Sequence, residues 1–126
     1  MTLVLGVDSS TQSTKALLVD AEDGSVVEQR QVAHPEGTEV DPRAWLAAVD
    51  EATEGLLPRA AAVAVGGQQH GMVTLDDDGT PVRDALLWND VRSSASAEEL
   101  VREWGGPRRC AELVGSILVA SFTVTK

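Results

Sequence analysis

Short apolar runs broken by polar punctuation dominate the first third of the chain. Leu3-Val4-Leu5-Gly6-Val7 and Lys15-Ala16-Leu17-Leu18-Val19 have the length and composition of buried strands. Seven small or polar residues, Asp8 to Thr14, separate them, more than the two turn residues that a plain hairpin needs. Ala21 to Ser25 (AEDGS) is a turn signal, and Val26 to Val32 reads as a third strand of mixed polarity. Three strands on short connections predict an antiparallel meander.

The period changes at Asp41-Pro42, where Asp as N-cap and Pro at the first helical position open a helix. Trp45, Val49, Ala52 and Leu56 fall on one face of it, and Pro58 is expected to end it. Ala61 to Val65 then reads as a strand entering GGQQHG, and Met72 to Leu75 as a strand leaving it for the turn DDDG. Ala85 to Trp88 reads as a short strand running into NDVRS. Ser96 and Glu99 fit a capping box for a helix that carries Leu100, Val101 and Trp104 and stops at Gly105-Gly106, and a shorter helix follows from Arg108 to Val114. Periodicity places Trp45 and Trp104 in the core. Ile117 to Lys126 reads as an apolar strand or loop and the start of a helix. The order of three strands, helix and strand is that of an α/β domain of the actin-like, ribonuclease-H-like kind, whose polar first hairpin faces a nucleotide, an analogy at the level of fold.

Composition narrows the functional classes. A length of 126 residues, 43% hydrophobic, suits one domain with a modest core. No apolar run is long enough to span a bilayer, and Met1 to Ala16 has no basic leader and is interrupted by Asp8, so a cytoplasmic protein is expected. Cys110, the single cysteine, precludes an internal disulfide. Ten Lys and Arg against twenty Asp and Glu give a formal charge of −10, which argues against a nucleic-acid footprint and against anionic membranes. A polyanion such as ATP would have to be held locally, by backbone amides, hydroxyls and Mg²⁺. Neither G-x-x-x-x-G-K-[ST], G-x-G-x-x-G nor H-E-x-x-H occurs, two histidines and one cysteine make no zinc site, and there is no nucleophile elbow or kinase-type catalytic loop. The acidic clusters Glu22-Asp23 and Asp76 to Asp78 read as solvated turns.

What remains is chemistry carried by three polar segments. Asp8 leaves an apolar strand directly, where its carboxylate could position Mg²⁺ or a water near a phosphate. Ser9, Ser10, Thr11, Ser13 and Thr14 bring hydroxyls and amides and Lys15 a cation, so the turn could wrap phosphate oxygens or simply satisfy its own backbone. Gln68, Gln69 and His70, set between glycines, place two amides and an imidazole on a permissive backbone, which suits reading a polyol by multiple hydrogen bonds; a surface-loop histidine is the plain alternative. Trp88 could be core or stack on a sugar face, and Asp90 and Arg92 could serve a ligand or clamp their own loop.

The stretch GVDSSTQSTKALLVD resembles the first phosphate-binding hairpin of the FGGY family of carbohydrate kinases, members of the actin-like ATPase superfamily. GGQQHGMV and ALLWNDVRS are similar, in order and spacing, to the sugar-site segments of that family's xylulokinase branch, and SFTVTK resembles the same branch. The resemblance implies transfer of the γ-phosphoryl of ATP to the terminal hydroxyl of D-xylulose, giving xylulose 5-phosphate. It implies that Asp8 lies near Mg²⁺ and the γ-phosphate and that Thr11, Gln12, Ser13 and Lys15 line the phosphate path. It further implies that Gln69 and His70 contact sugar hydroxyls and that Trp88, Asn89, Asp90 and Arg92 form the facing wall, with Asp90 accepting hydrogen bonds from the ketose. Ser10 departs from the glycine found in much of the family, and Gln69 from the methionine of some members.

Family members have two actin-like domains with ATP and sugar in the cleft between them, and the aspartate that acts as general base belongs downstream. Residues 1–126 are therefore expected to form the N-terminal portion of the first domain, incomplete at its C-terminus and without the second, and to be inactive alone. The alternatives are a non-catalytic fragment that binds sugar or phosphate weakly and another actin-like ATPase, against which GQQHG and WND count.

Overall fold

In the computed structural model, which describes all residues from Met1 to Lys126, the meander is present but its strands run further than the apolar runs. β1 spans Leu3–Ser9, β2 Ser13–Asp20 and β3 Val26–Ala33. Four of the seven polar residues are thus strand, and the connection shrinks to Ser10–Gln12. The ladder continues because it satisfies backbone N–H and C=O groups whatever the side chains are. Leu5 lies opposite Leu18, Val7 opposite Ala16, Asp8 opposite Lys15 and Ser9 opposite Thr14.

Chain contacts divide the residues into two units: Met1–Glu36 with Asp41–Gln68, and Gly37–Val40 with Gln69–Lys126. In the first, α1 (Arg43–Thr53) crosses over to the strand Ala62–Gly67 (β5, since β4, Glu39–Val40, belongs to the second unit), which joins β1 in parallel to complete the sheet order β3-β2-β1-β5. A parallel pair requires such a crossover. Leu5, Val7, Ala16 and Leu18 on one sheet face pack with Ala52 and Leu56, flanked by Val32 and Val49.

The start of α1 lies one residue later than expected: the helix begins at Arg43, and Pro42, in helical angles, is its N-cap in place of Asp41, whose carboxylate still accepts the Arg43 N–H at 3.0 Å. Its end differs too. The helix stops at Thr53, Gly55 turns left-handed with φ +70°, and Pro58 lies inside a 3₁₀ turn, Leu57–Arg59, which follows buried Leu56. A left-handed glycine ends a helix earlier than the proline could. Trp45 is half-buried rather than core, its indole N–H enclosed without a partner. The strand expected at 61–65 also differs in burial: Val63 and Val65 are 47% and 71% exposed, because β5 is a sheet edge while α1 packs on β1, β2 and β3.

In the second unit, β4 (Glu39–Val40), which periodicity missed, pairs with β6 (Ala85–Leu86). The strand expected at 85–88 is cut to those two residues, and Trp88 lies outside it, 46% exposed. Met72–Leu75 is not a strand: it makes single bridges, Met72 to Leu86 and Leu75 to Pro81, with no continuous partner. α2 spans Ser94–Glu103, so Ser96 and Glu99 sit inside the helix and form no capping box. The residue before α2, Ser93, turns its hydroxyl to the Ala120 carbonyl and to Thr125. Gly105 and Gly106, with φ of +91° and +97°, end that stretch as expected, although Trp104 is half-buried. α3 spans Pro107–Val114, and residues 117–126 form a loop closing on a 3₁₀ turn, Thr123–Thr125, rather than a strand. No helix is long and apolar enough to cross a membrane.

Leu18 is fully buried between sheet and helix, so Leu18→Ala should cost about 2–5 kcal/mol of stability in denaturant titrations. Val65→Ala, at the exposed edge, should stay within about 0.5 kcal/mol. Equal costs would show that the sheet–helix interface is not the core of this unit.

Candidate functional site

Strand alternation determines which polar residues meet. Leu5, Val7, Ala16 and Leu18 take the α1 face, so Asp8 and its neighbour Lys15 stand on the other, both exposed. There they border a shallow concavity of about 430 Å³ whose other walls include Gly6, Leu17, Ala64 and Gly66. A Cβ on Gly6 or Gly66 would meet no atom within 4 Å, so these glycines leave open a space that side chains would fill. The Ser10 hydroxyl donates to Asp8 Oδ2 at 2.8 Å. Ser13 is buried, and its Oγ accepts from Gln31 Nε2 at 3.0 Å, leaving the hydroxyl proton to donate. Thr11 is half-buried and Gln12 exposed at the tip.

The tip is tied down by its backbone. Ser10 N–H donates to the Ser13 carbonyl (3.0 Å), His34 N–H to the Gln12 carbonyl (2.8 Å) and Gln68 N–H to the Ser9 carbonyl (3.1 Å). Beneath it, buried Thr14 hydrogen-bonds His34 Nε2 at 2.8 Å and its hydroxyl reaches Ser9 Oγ at 3.3 Å. His70 is the sole non-glycine residue with positive φ, so Ser10 occupies its turn without the left-handed backbone that would demand glycine. Nowhere do three or more His, Cys, Asp or Glu side chains gather as a metal site, and Asp8 is the carboxylate at this concavity.

The second unit holds the remaining candidates. Gln69 and His70 are exposed in the loop after β5. His70 has φ +63°, a conformation costing a side chain roughly 1–3 kcal/mol, and its ring stacks on Phe122 with centroids 4.6 Å apart and planes at 24°. Trp88 and Asn89 are exposed, but Asp90 is only 4% exposed and fully engaged. Its Oδ1 accepts from Arg92 N–H (3.0 Å) and Nε (2.9 Å), and its Oδ2 from Arg92 Nη2 (2.8 Å) and the Thr38 hydroxyl (2.8 Å). These four donors match the about four lone-pair sites of a carboxylate.

Arg92 Nη2 also reaches Glu39 Oε2 at 2.8 Å, and Arg83 holds the other Glu39 oxygen at 2.6 Å. The Arg92 guanidinium, chiefly by hydrogen bonding, holds the Asp90 carboxyl well below the usual carboxylate range. Asp90 and then Glu39 raise Arg92 in turn. Lys126 Nζ donates to the carbonyls of Asp90 (2.8 Å) and Ala120 (3.0 Å), and its burial pushes the amine's pKa down. Thr38, Glu39, Phe122 and Lys126 were not singled out in the sequence. Only the last two had a signal there, the SFTVTK motif.

Residues 3–126 match the sequence profile of the N-terminal domain of the FGGY family of carbohydrate kinases. The chain is 58% identical to a xylulose kinase of Streptomyces coelicolor and 54% identical to one of Streptomyces rubiginosus, in each case over 98% of this chain and 27% of the relative. The crystal structure of a xylulose kinase from Bifidobacterium adolescentis superposes with a TM-score of 0.93 at 45% identity, covering 98% of this chain and 28% of that one. The chain thus spans about a quarter of the length of these relatives. The chain belongs to the FGGY family of carbohydrate kinases.

Proposed function

We propose that residues 1–126 supply the phosphate hairpin and one sugar-binding wall of an ATP-dependent kinase that phosphorylates the terminal hydroxyl of D-xylulose to give xylulose 5-phosphate. The observation that carries this is the Asp8–Lys15 pair over its glycine floor, in a chain 58% identical to a xylulose kinase across 98% of its length. The fold is then the opening of an actin-like ATPase domain, whose remaining elements belong to the rest of the kinase.

On this reading Lys15 offsets charge on the phosphate chain, and the Ser13 proton together with the tip residues Thr11 and Gln12 hydrogen-bonds its oxygens. A single exposed carboxylate fits Mg²⁺, which is commonly held by one or two carboxylates together with phosphates and water, so Asp8 is the residue that would hold it. When bound, Mg²⁺ would neutralise charge on the transferred group. Gln69 and His70 bind sugar hydroxyls, with Trp88 and Asn89 as the opposing exposed surface.

Asp90 takes a different part from the one the resemblance implied. With its lone pairs filled and its basicity lowered by Arg92, it is a poor acceptor for a ketose hydroxyl and a poor proton acceptor. It acts by fixing the loop that presents Trp88 and Asn89. The general base is therefore assigned to the part of the kinase outside residues 1–126.

Joining residues 1–126 to the complementary C-terminal part of the Streptomyces coelicolor relative should give a protein that releases ADP when D-xylulose is added. No ketose-stimulated ADP release from the folded hybrid would sink the reading. In that hybrid, His70→Ala should raise KM for the ketose about tenfold with a smaller effect on kcat, whereas Asp8→Ala should lower kcat by about a hundredfold or more. A shared phenotype would refute the division of roles.

Asp90 adds a pH signature. Its folded pKa lies below the unfolded value of about 3.9, so the ionised group stabilises the fold above that value and loses its effect as pH falls through the folded pKa. Asp90→Asn should melt at a lower temperature than the unmodified chain at pH 7, and the gap should narrow steadily below about pH 4. A gap independent of pH between 7 and 3 would mean that the charge of Asp90 is not what holds the loop.

A further inference from the structure

We infer that Phe122 is a positioning residue for sugar recognition, holding the His70 imidazole in one orientation through ring stacking; this rests on the reading of His70 given above. His70 is exposed and carries the chain's only non-glycine positive φ, so its backbone is strained and nothing in exposure alone would fix its ring. Two sets of contacts restrain its segment. Met72 and Leu86 exchange both backbone hydrogen bonds, at 2.8 and 3.1 Å, which anchors the loop to β6. The Thr123 hydroxyl donates to the Gly71 carbonyl at 3.1 Å, and the Phe122 ring lies 4.6 Å from the imidazole at 24°.

The same C-terminal segment reaches the Trp88–Arg92 loop, since Lys126 holds the Asp90 carbonyl and Thr125 contacts the Ser93 hydroxyl. One short stretch, SFTVTK, thereby braces both segments assigned to the sugar. An imidazole that is oriented before the ketose arrives loses less freedom on binding. A half-buried Phe122, outside the sheet–helix core, has this stack as its distinctive contact.

The test uses the hybrid kinase described above with Phe122→Leu, Phe122→Tyr, His70→Ala and the Phe122→Leu/His70→Ala double variant. Phe122→Leu should raise KM for D-xylulose about threefold to tenfold, the scale of an aromatic pair, with KM for ATP and melting temperature unchanged. Phe122→Tyr, which keeps the ring, should stay within about twofold of the unmodified enzyme. In the His70→Ala background, Phe122→Leu should add nothing, because its effect acts through the missing imidazole.

The inference is overturned by an unchanged ketose KM in Phe122→Leu, by equal losses in the Leu and Tyr variants, by a parallel rise in KM for ATP, or by additive effects in the double variant. Proton NMR of this chain gives a readout independent of activity. The carbon-bound ring protons of His70 should shift on Phe122→Leu and keep their place on Phe122→Tyr. If the unmodified hybrid shows no ketose-dependent ADP release, the sugar role of both residues falls with the functional reading, and the His70 resonances still decide whether the stack exists.

Discussion

The register between β1 and β2 is the constraint on which the first unit depends. Because strand side chains alternate with a period of two, one pairing decides both faces. Leu5 against Leu18 and Val7 against Ala16 bury the core under α1, and the same pairing sets Asp8 beside Lys15 over Gly6 on the opposite face. A slip of one residue in either strand would send charge into the core and leucine to the concavity. Burial of the leucines thus enforces the geometry of the charged pair, although neither charged group contributes to that core.

The second unit has no comparable sheet. Its two strands are two residues each, too short to position a site through backbone pairing. Charge does the work: Arg92 spans Asp90 and Glu39, Arg83 completes the chain, and Lys126 takes the Asp90 carbonyl. Exposed ion pairs are individually weak, and the Arg83–Glu39 link belongs with those. Asp90 differs because it is nearly inaccessible to water and accepts a bidentate guanidinium plus a backbone N–H and a hydroxyl, so loss of any donor would leave a buried charge short of partners.

The meander and α1 were legible because they obey single periodicities: apolar runs for β1 and β2, and an Asp-Pro start for the helix. The extent of the strands was not, since Asp8, Ser9, Ser13 and Thr14 pair through their backbones and carry no apolar signature. Pro58 misled because Gly55, a left-handed terminator three residues earlier, had already ended the helix. In the second unit, Met72–Leu75 looked like a strand by composition, but strand identity there depends on a long-range partner that the local pattern does not reveal. Asp90 and Arg92 were visible as residues, yet Thr38 and Glu39, distant by 52 and 53 positions, complete their cage and leave no local trace.

The hairpin tip also shows how a chain of net charge −10 could tolerate a phosphate chain at one point. Carbonyl oxygens are the negative ends of peptide dipoles, and three of them near the tip, on Ser9, Gln12 and Ser13, are consumed by N–H groups of Gln68, His34 and Ser10. Each such bond offsets a partial negative charge that would otherwise face an incoming anion. The Thr14–His34 contact lies behind the tip, so the polar support sits on the side away from Asp8 and Lys15. In the proposed role Lys15 would then be needed only as a local counter-charge, since the field of the whole molecule acts over distances that salt screens while the tip acts at contact. The polar residues between the two apolar runs are therefore better understood as strand ends and a restrained turn than as a loose hydroxyl-rich loop, and in the proposed phosphate role it is that restraint that would suit them to an anion.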